Sequence, residues 1–193
     1  MTSLEEFYQE MVDFNGSVLR DSKFSTKIHF NLSTLLFDLL TPEEEKIDDQ
    51  TREFRFDISL LTSRLVMASD WVNQHPLREK LAVGYFGAST GGASAIAAAA
   101  LRPQVVKAVV SRGGRPDLAG AALSKIQAPT LLIVGGNDPD VIDLNKQAMT
   151  SMKNIHQLEI VPKATHLFEE AGALEIVSKL AEKWFWKYLV GLK

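Results

Sequence analysis

One serine lies among glycines in a pattern that suits nucleophilic chemistry. Ser89 is the centre of "GASTG", Gly87 to Gly91, which matches G-x-S-x-G. At a sharp strand-to-helix turn of this kind, larger side chains two residues before and after the serine would collide with the neighbouring strand and helix. The pattern therefore predicts a nucleophile elbow, with the Ser89 hydroxyl exposed and the N–H of Thr90 aimed at the same point as an oxyanion donor.

A glycine-rich turn can also bind a phosphate, so that alternative needs testing against the sequence. A P-loop requires a lysine after its glycines, and a dinucleotide-binding turn requires G-x-G-x-x-G with an acidic residue about 20 positions later. The stretch that follows Ser89, "TGGASAIAAAAL", fits neither pattern. The glycines therefore favour the elbow over a phosphate loop.

A serine hydroxyl is a weak nucleophile near neutral pH, so it needs a base and a group that orients the base. On sheets that carry such an elbow, the acid and the histidine follow the serine in that order along the chain. Asp138 follows the apolar run "TLLIVGG", and His166 follows "LEIVP". Both are expected in loops at the carboxyl edge of the sheet, where ligands and chemistry gather in such folds.

The choice of acid and base has alternatives. Asp140, in the same "NDPD" loop, is the rival acid, and Asp138 also suits a plain turn. Of the other histidines, His29 and His75 precede the elbow and His156 opens a strand instead of following one. Position in the order therefore favours Asp138 as the acid and the remaining histidine as the base.

Strands and helices alternate in the wider pattern. Buried strands are predicted at 33–40 ("STLLFDLL"), 81–87, 105–111, 130–136 and 156–162, and helices after Thr41 and at 58–72, 92–102, 142–152 and 173–189. "TPEEE" offers Thr41 as N-cap, Pro42 at the first helical position and Glu44 three residues after the cap. The alternation predicts an α/β protein with a mostly parallel sheet and helices on both faces.

Composition excludes several classes of function. The 193 residues carry a formal net charge of −3 and no basic cluster, so nucleic acid is not expected as a partner. The absence of cysteine excludes disulfides, thiolate metal sites and a cysteine nucleophile. The length suits one core, so we expect a single domain over residues 1–193. The acidic start lacks a signal-peptide layout, which favours a cytoplasmic protein.

One stretch is long enough to cross a membrane. Residues 82–101 are uncharged for 20 positions, which meets the length rule for a transmembrane helix. Four glycines, together with Ser89, Thr90 and Ser94, leave the stretch only weakly apolar. We therefore expect a strand, a turn and a buried helix of small residues here, and no membrane span.

Longer stretches resemble a known family. They are "GYFGASTGGASA", "VVSRGGRPDLAG", "APTLLIVGGNDPDVIDLN" and "VPKATHLFEEAGALEIVSKLAEKWF". They look like the dienelactone hydrolase-like branch of the α/β-hydrolase superfamily, from about Leu32 to the C-terminus. The resemblance implies the α/β-hydrolase fold and a serine hydrolase with Ser89, Asp138 and His166 as nucleophile, acid and base, and with no metal or organic cofactor. Because dienelactone hydrolases typically use a cysteine, the resemblance indicates the class of reaction better than the substrate.

The N-terminal part departs from that family. Its members have further strands and a "HG"-type loop there, which supplies the second oxyanion amide. In this chain 31 residues precede Leu32, and "FNGS" stands where the loop is expected. Gly16, with Ser17, is therefore either the second oxyanion donor or part of a plain turn. We expect segment 1–31 to be shortened or degenerate relative to the family.

Two arginines follow the strand after the elbow helix. Arg112 and Arg115, in "SRGGRPD", either clamp a substrate carboxylate or hold loop carbonyls and Asp117. The sequence as a whole predicts hydrolysis of an ester, lactone or similar acyl bond through an acyl-Ser89 intermediate. The alternative is a catalytically weak protein of the same fold that binds a ligand or a partner.

Overall fold

The computed structural model describes residues 35–74 and 82–190. The chain divides into two compact units, residues 1–38 and residues 39–193. In the first unit the described residues are 35–38, which have no regular secondary structure. The second unit carries all the helices and strands described below, and the expectation of a single domain over the whole chain stays a prediction.

Helices and strands alternate along the second unit, as the sequence pattern predicts. They are α1 (Pro42–Thr51), α2 (Ile58–Gln74), β1 (Val83–Ala88), α3 (Thr90–Leu101), β2 (Val106–Arg112), a 3-10 segment (Pro116–Ser124), β3 (Thr130–Gly135), α4 (Pro139–Met149), β4 (His156–Val161) and α5 (Ala173–Phe185), which continues as a π-helical turn (Trp186–Val190). The four strands are all parallel, in the order β1-β2-β3-β4. The predicted α/β class with a parallel sheet is confirmed.

Helices cover both faces of this sheet. Successive residues of a strand point to opposite faces, and the central strands are apolar on both. Val109 of β2 and Leu132 of β3 pack with α2, α3 and α4, whereas Val110 and Ile133 pack with α5. All four side chains are fully buried. The long apolar runs of β2 and β3 are thus explained by burial from two sides.

The uncharged stretch 82–101 forms the strand, turn and helix that its composition predicts. Strand β1 ends at Ala88, and α3 begins at Thr90. Ala95 and Ile96 on α3 are buried in the same core cluster as residues of β1, β2 and β3, and the small residues of the helix allow this close approach. Within residues 35–74 and 82–190, no helix is both long enough and apolar enough to cross a lipid bilayer.

The prediction of a strand at 33–40 is wrong for the part that the structure describes. Residues 35–40 form no strand, and the side chains of Leu35 and Leu36 are exposed. An apolar run becomes a strand only where a neighbouring strand takes up its backbone hydrogen bonds, and residues 35–40 have no such pairing. Residues 33 and 34 lie outside the described residues.

The helix start predicted directly after this run is confirmed. Thr41 is the N-cap of α1, and its hydroxyl accepts a hydrogen bond from the Glu44 N–H at 3.3 Å. The Glu44 carboxylate in turn accepts from the Thr41 N–H at 2.9 Å. Pro42 occupies the first helical position, where its missing N–H removes no helical bond. Local capping chemistry therefore sets this boundary.

Candidate active site

Ser89 lies at a strained turn between β1 and α3. Its backbone has φ 52° and ψ −121°, a conformation that side chains other than glycine rarely adopt and that costs about 1–3 kcal/mol. The turn is so tight that a Cβ on Gly87 would lie 2.2 Å from the Gly91 carbonyl oxygen. Glycine at 87 is therefore required, as the G-x-S-x-G pattern predicts.

The sequence predicts that a side chain at position 91, two residues after Ser89, would collide with the neighbouring strand and helix. This prediction is wrong. A Cβ on Gly91 would meet no heavy atom within 4 Å, whereas one on Gly92 would lie 2.3 Å from the Ser111 hydroxyl oxygen. The backbone of Gly91 approaches Gly87, but its own Cβ direction is open. The helix packs closely on β2 at the next residue, so packing requires the glycine at 92.

The end of β2 and the loop after it hold the main chain of the serine on both sides. The Ser89 N–H donates to the Arg112 carbonyl at 3.2 Å, and the Ser89 carbonyl accepts from the Arg115 N–H at 3.2 Å. The Ser89 side chain makes no capping bond to α3. The loop of residues 112–115 therefore fixes the elbow through backbone bonds and leaves the hydroxyl uncommitted to the helix.

Thr90 is the first residue of α3, directly after the serine. The N–H groups of a helix's first turn have no acceptor within the helix, and they lie at the positive end of its dipole. The Thr90 N–H therefore suits the oxyanion role predicted from the sequence. Gly16 and Ser17, the residues suggested for a second donor, lie outside the described residues.

Asp138 and His166 are joined by a hydrogen bond across two loops. His166 Nδ1 lies 2.7 Å from Asp138 Oδ2, and the two side chains are 39% and 15% exposed. An ionised carboxylate can only accept hydrogen bonds, so Nδ1 is the donor here, and in the neutral imidazole Nε2 is the nitrogen with the free lone pair. Asp140, the rival acid, is an exposed residue in the first turn of α4. The structure thus brings Asp138 to the histidine.

Close backbone packing brings these two loops together. A Cβ on Gly135, the last residue of β3, would lie 2.4 Å from the Ala164 carbonyl oxygen. The Asn137 N–H donates to the same carbonyl at 2.9 Å, and the Asn137 side-chain amide donates to the Lys163 carbonyl at 2.9 Å. Sequence reasoning missed these contacts, although the glycine pair that ends "TLLIVGG" was a signal of close approach.

Residues after His166 anchor its loop. Phe168 is completely buried and has φ 59°, an unusual backbone conformation for an aromatic residue. A Glu170 carboxylate oxygen accepts from the Thr165 N–H at 3.0 Å, and the hydrogen bonding with Thr165 lowers the pKa of Glu170. Neither residue was predicted from the sequence. The signal was their place in "THLFEE", directly beside the histidine.

The two arginines of the β2 loop make contacts within the protein. Arg115 forms a forked ion pair with Asp117, at 2.9 and 2.7 Å, and this pairing raises the pKa of Arg115. Arg112 Nη1 donates to the Leu167 carbonyl at 3.3 Å, and its guanidinium lies 5.4 Å from the centre of the Phe168 ring. Both arginines thus make contacts of the kind expected if they hold loop carbonyls and Asp117, which is the alternative to clamping a substrate carboxylate.

Comparison with known proteins identifies the family of this chain. Residues 32–190 match the model of the dienelactone hydrolase family. The chain belongs to this family. A dienelactone hydrolase from Anabaena variabilis ATCC 29413 is 59% identical in the aligned region, with a TM-score of 0.75, over 79% of this chain and 70% of that one. Est1E from Butyrivibrio proteoclasticus has a TM-score of 0.58 over 67% of this chain and 70% of its own, and at 16% identity it shows the fold alone.

Curated relatives of this dienelactone hydrolase family chain are longer proteins. Two from Mycobacterium tuberculosis, strains CDC 1551 and H37Rv, are 55% identical over 159 residues and carry the provisional name phosphoribosyl transferase. The match covers 82% of this chain but 35% of each relative. The name describes proteins much longer than the matched region. Family membership and the structural neighbours support a hydrolase.

Proposed function

We propose that this chain is a serine hydrolase that cleaves a carboxylic ester, lactone or related acyl bond through an acyl-Ser89 intermediate. The observation that carries the proposal is the 2.7 Å hydrogen bond between His166 Nδ1 and Asp138 Oδ2. In the neutral imidazole this bond places the proton on Nδ1, so Nε2 is the nitrogen that can take a proton from a hydroxyl. The strained turn at Ser89 adds support, because such strain persists where the surrounding structure enforces it.

The chemistry assigns one task to each residue. His166 Nε2 takes the hydroxyl proton as Ser89 Oγ attacks the acyl carbon, and the Asp138 carboxylate stabilises the imidazolium that forms. The imidazolium then protonates the leaving oxygen as its bond to the acyl carbon breaks. Water attacks the acyl-serine in a second round, with the same histidine as base, and releases the carboxylic acid. No metal or organic cofactor enters these steps.

The N–H of Thr90 stabilises the negative charge on the acyl oxygen in both rounds. Its position at the start of α3 adds the favourable end of the helix dipole. An oxyanion donor contributes about 10² to 10³ in kcat, so a site with this donor alone would turn over activated esters best. Gly16 remains the candidate for a second donor on sequence grounds.

The test uses three variants and para-nitrophenyl acetate. Ser89→Ala, His166→Ala and the double variant should each lower kcat to the same floor, about 10⁶ below the native protein, because the two residues act as a unit. His156→Ala is the matched control. This second histidine is half-buried, bonds to the Asn154 carbonyl at 2.9 Å and should be dispensable.

Two results would count against the proposal. Turnover that survives in His166→Ala would show that His166 is not the base. Losses in kcat that multiply in the double variant would show that Ser89 and His166 act independently. If the folded native protein turns over no activated ester at all, the alternative of a ligand- or partner-binding protein is favoured.

A further inference from the structure

Arg112 is joined through its main chain to the residue proposed as nucleophile. It ends β2 and pairs with Ala88, the last residue of β1. Its carbonyl accepts the Ser89 N–H at 3.2 Å. The backbone of Arg112 is therefore bonded directly to the strained turn that presents the serine.

The side chain of the same arginine reaches the loop that carries the proposed base. Nη1 donates to the carbonyl of Leu167, the residue after His166, at 3.3 Å. The guanidinium also lies 5.4 Å from the ring centre of the fully buried Phe168, which is within the range of a cation–π contact. One side chain thus holds both residues that directly follow the histidine.

The charges around Arg112 are consistent with a side chain that holds the loop carrying His166. In the described ranges, 35–74 and 82–190, no carboxylate forms an ion pair with it, in contrast to Arg115 and its partner Asp117. Burial alone lowers the pKa of Arg112. The planar guanidinium suits a ring and a carbonyl together, because it stacks and donates at the same time, which an ammonium does poorly.

We propose that Arg112 is a positioning residue that sets His166 relative to Ser89, rather than a clamp for a substrate carboxylate. The proposal rests on the proposed function of those two residues. Both ends of the link are direct: a backbone bond to the nucleophile at 3.2 Å, and a side-chain bond to the residue next to the base at 3.3 Å. Loss of the side chain should loosen the loop and lower the rate of proton transfer.

The test compares Arg112→Met with the native protein on two esters. Para-nitrophenyl acetate is neutral, and the para-nitrophenyl monoester of succinic acid carries a carboxylate. A misplaced base should lower kcat by about 10²-fold on both esters alike, with KM little changed, since small displacements of reacting groups have effects of this size. Arg112→Lys keeps the charge without the planar fork and should restore only part of the rate on either ester.

Arg102→Met is the matched control. Arg102 is likewise a partly buried arginine with side-chain hydrogen bonds, here a forked pair to Asp70 at 2.8 and 2.7 Å, but it caps the opposite end of α3 from Ser89. Its loss should leave kcat on both esters unchanged. A loss in Arg112→Met that is confined to KM of the anionic ester would overturn the proposal in favour of a carboxylate clamp, and an unchanged kcat on both esters would overturn it outright.

A second measurement separates this proposal from the proposed function. The Phe168 N–H donates to the Thr165 carbonyl at 3.2 Å, so its hydrogen exchange reports how firmly the loop is held. Exchange at Phe168 should be faster in Arg112→Met and Arg112→Lys than in the native protein or Arg102→Met, even if no ester is hydrolysed. Unchanged exchange in a folded Arg112 variant would overturn the positioning role. If Arg112→Met does not fold, Arg112→Lys is judged by the same criteria.

Discussion

Two polar regions of the second unit use similar groups in opposite ways. In the α1–α2 cluster, defined here as Thr41, Glu44 and Arg64, one carboxylate receives a forked pair of bonds at 2.5 and 2.6 Å and also the N–H of the N-cap. The side chains of Arg64 and Glu44 are 10% and 20% exposed. Donors and acceptors here are engaged with one another, which stabilises the fold and leaves little for a ligand.

The site at the carboxyl edge of the sheet is arranged differently. Asp138 engages one ring nitrogen of His166, and that side chain is 39% exposed. Ser89 and Phe168 both have positive φ, at 52° and 59°, whereas the residues of the α1–α2 cluster are not among those with positive φ in the described chain. The comparison contrasts a paired cluster that stabilises the fold with a partly exposed site whose strained backbone costs stability.

The largest expected effect lies at the site. Asp138→Asn should lower kcat by about 10⁴, because a neutral amide favours the wrong imidazole tautomer. Asp140→Asn, two residues along the same loop, is the matched control and should have little effect, since Asp140 is exposed and does not bond to His166 in the structure. Steady-state kinetics on an activated ester measure both, and a larger loss in Asp140→Asn would move the acid role there.

Substitutions in the α1–α2 cluster should change the free energy of unfolding rather than kcat. Hydrogen bonds from Arg64 are the main reason that the pKa of Glu44 lies below its ordinary value of 4.5. The unfolded chain therefore binds the proton more readily, so this stabilisation is present above about pH 4.5 and is lost as the pH falls through the lower folded value.

Glu44→Gln should accordingly lower the free energy of unfolding at neutral pH by about 1.5–3 kcal/mol, the range for hydrogen bonds to charged groups. The variant should also lose less stability on acidification than the native protein, with kcat unchanged. Urea unfolding at neutral and acidic pH measures this. An equal acid-induced loss in both proteins would mean that Glu44 is not ionised and paired as described.

The smallest expected effect concerns strain at the elbow. Ser89→Gly and Ser89→Ala should both be inactive, but the glycine variant should be more stable by about 1 kcal/mol. Relief of a positive φ exceeds the extra freedom that glycine gives the unfolded chain. Thermal or urea unfolding of the two variants makes the comparison. If the alanine variant is the more stable, the turn is not strained in solution.

The sequence predicts local features well, because local features depend on neighbouring residues. The capping box at Thr41, the two-sided burial of β2 and β3, and the glycine required at position 87 all follow from short patterns. The order of serine, aspartate and histidine also singles out the pair that the structure joins by a hydrogen bond.

What the sequence does not predict depends on contacts between distant segments. Residues 35–40 are apolar enough for a strand, but a strand also needs a partner. Glycine is required at position 135 because the Ala164 carbonyl lies against it. The contact of Arg112 is its hydrogen bond to the Leu167 carbonyl. These pairs lie far apart in sequence, so their roles follow only from the fold.

Whether Ser89 is an activated nucleophile is tested most directly with a fluorophosphonate probe and mass spectrometry of the labelled peptide. A base-activated serine reacts with such a probe, and the reaction needs no particular ester to be recognised. We expect labelling at Ser89 alone, no labelling in Ser89→Ala, and much slower labelling in His166→Ala. Absence of labelling in native protein that circular dichroism shows to be folded would contradict the assignment of a serine hydrolase.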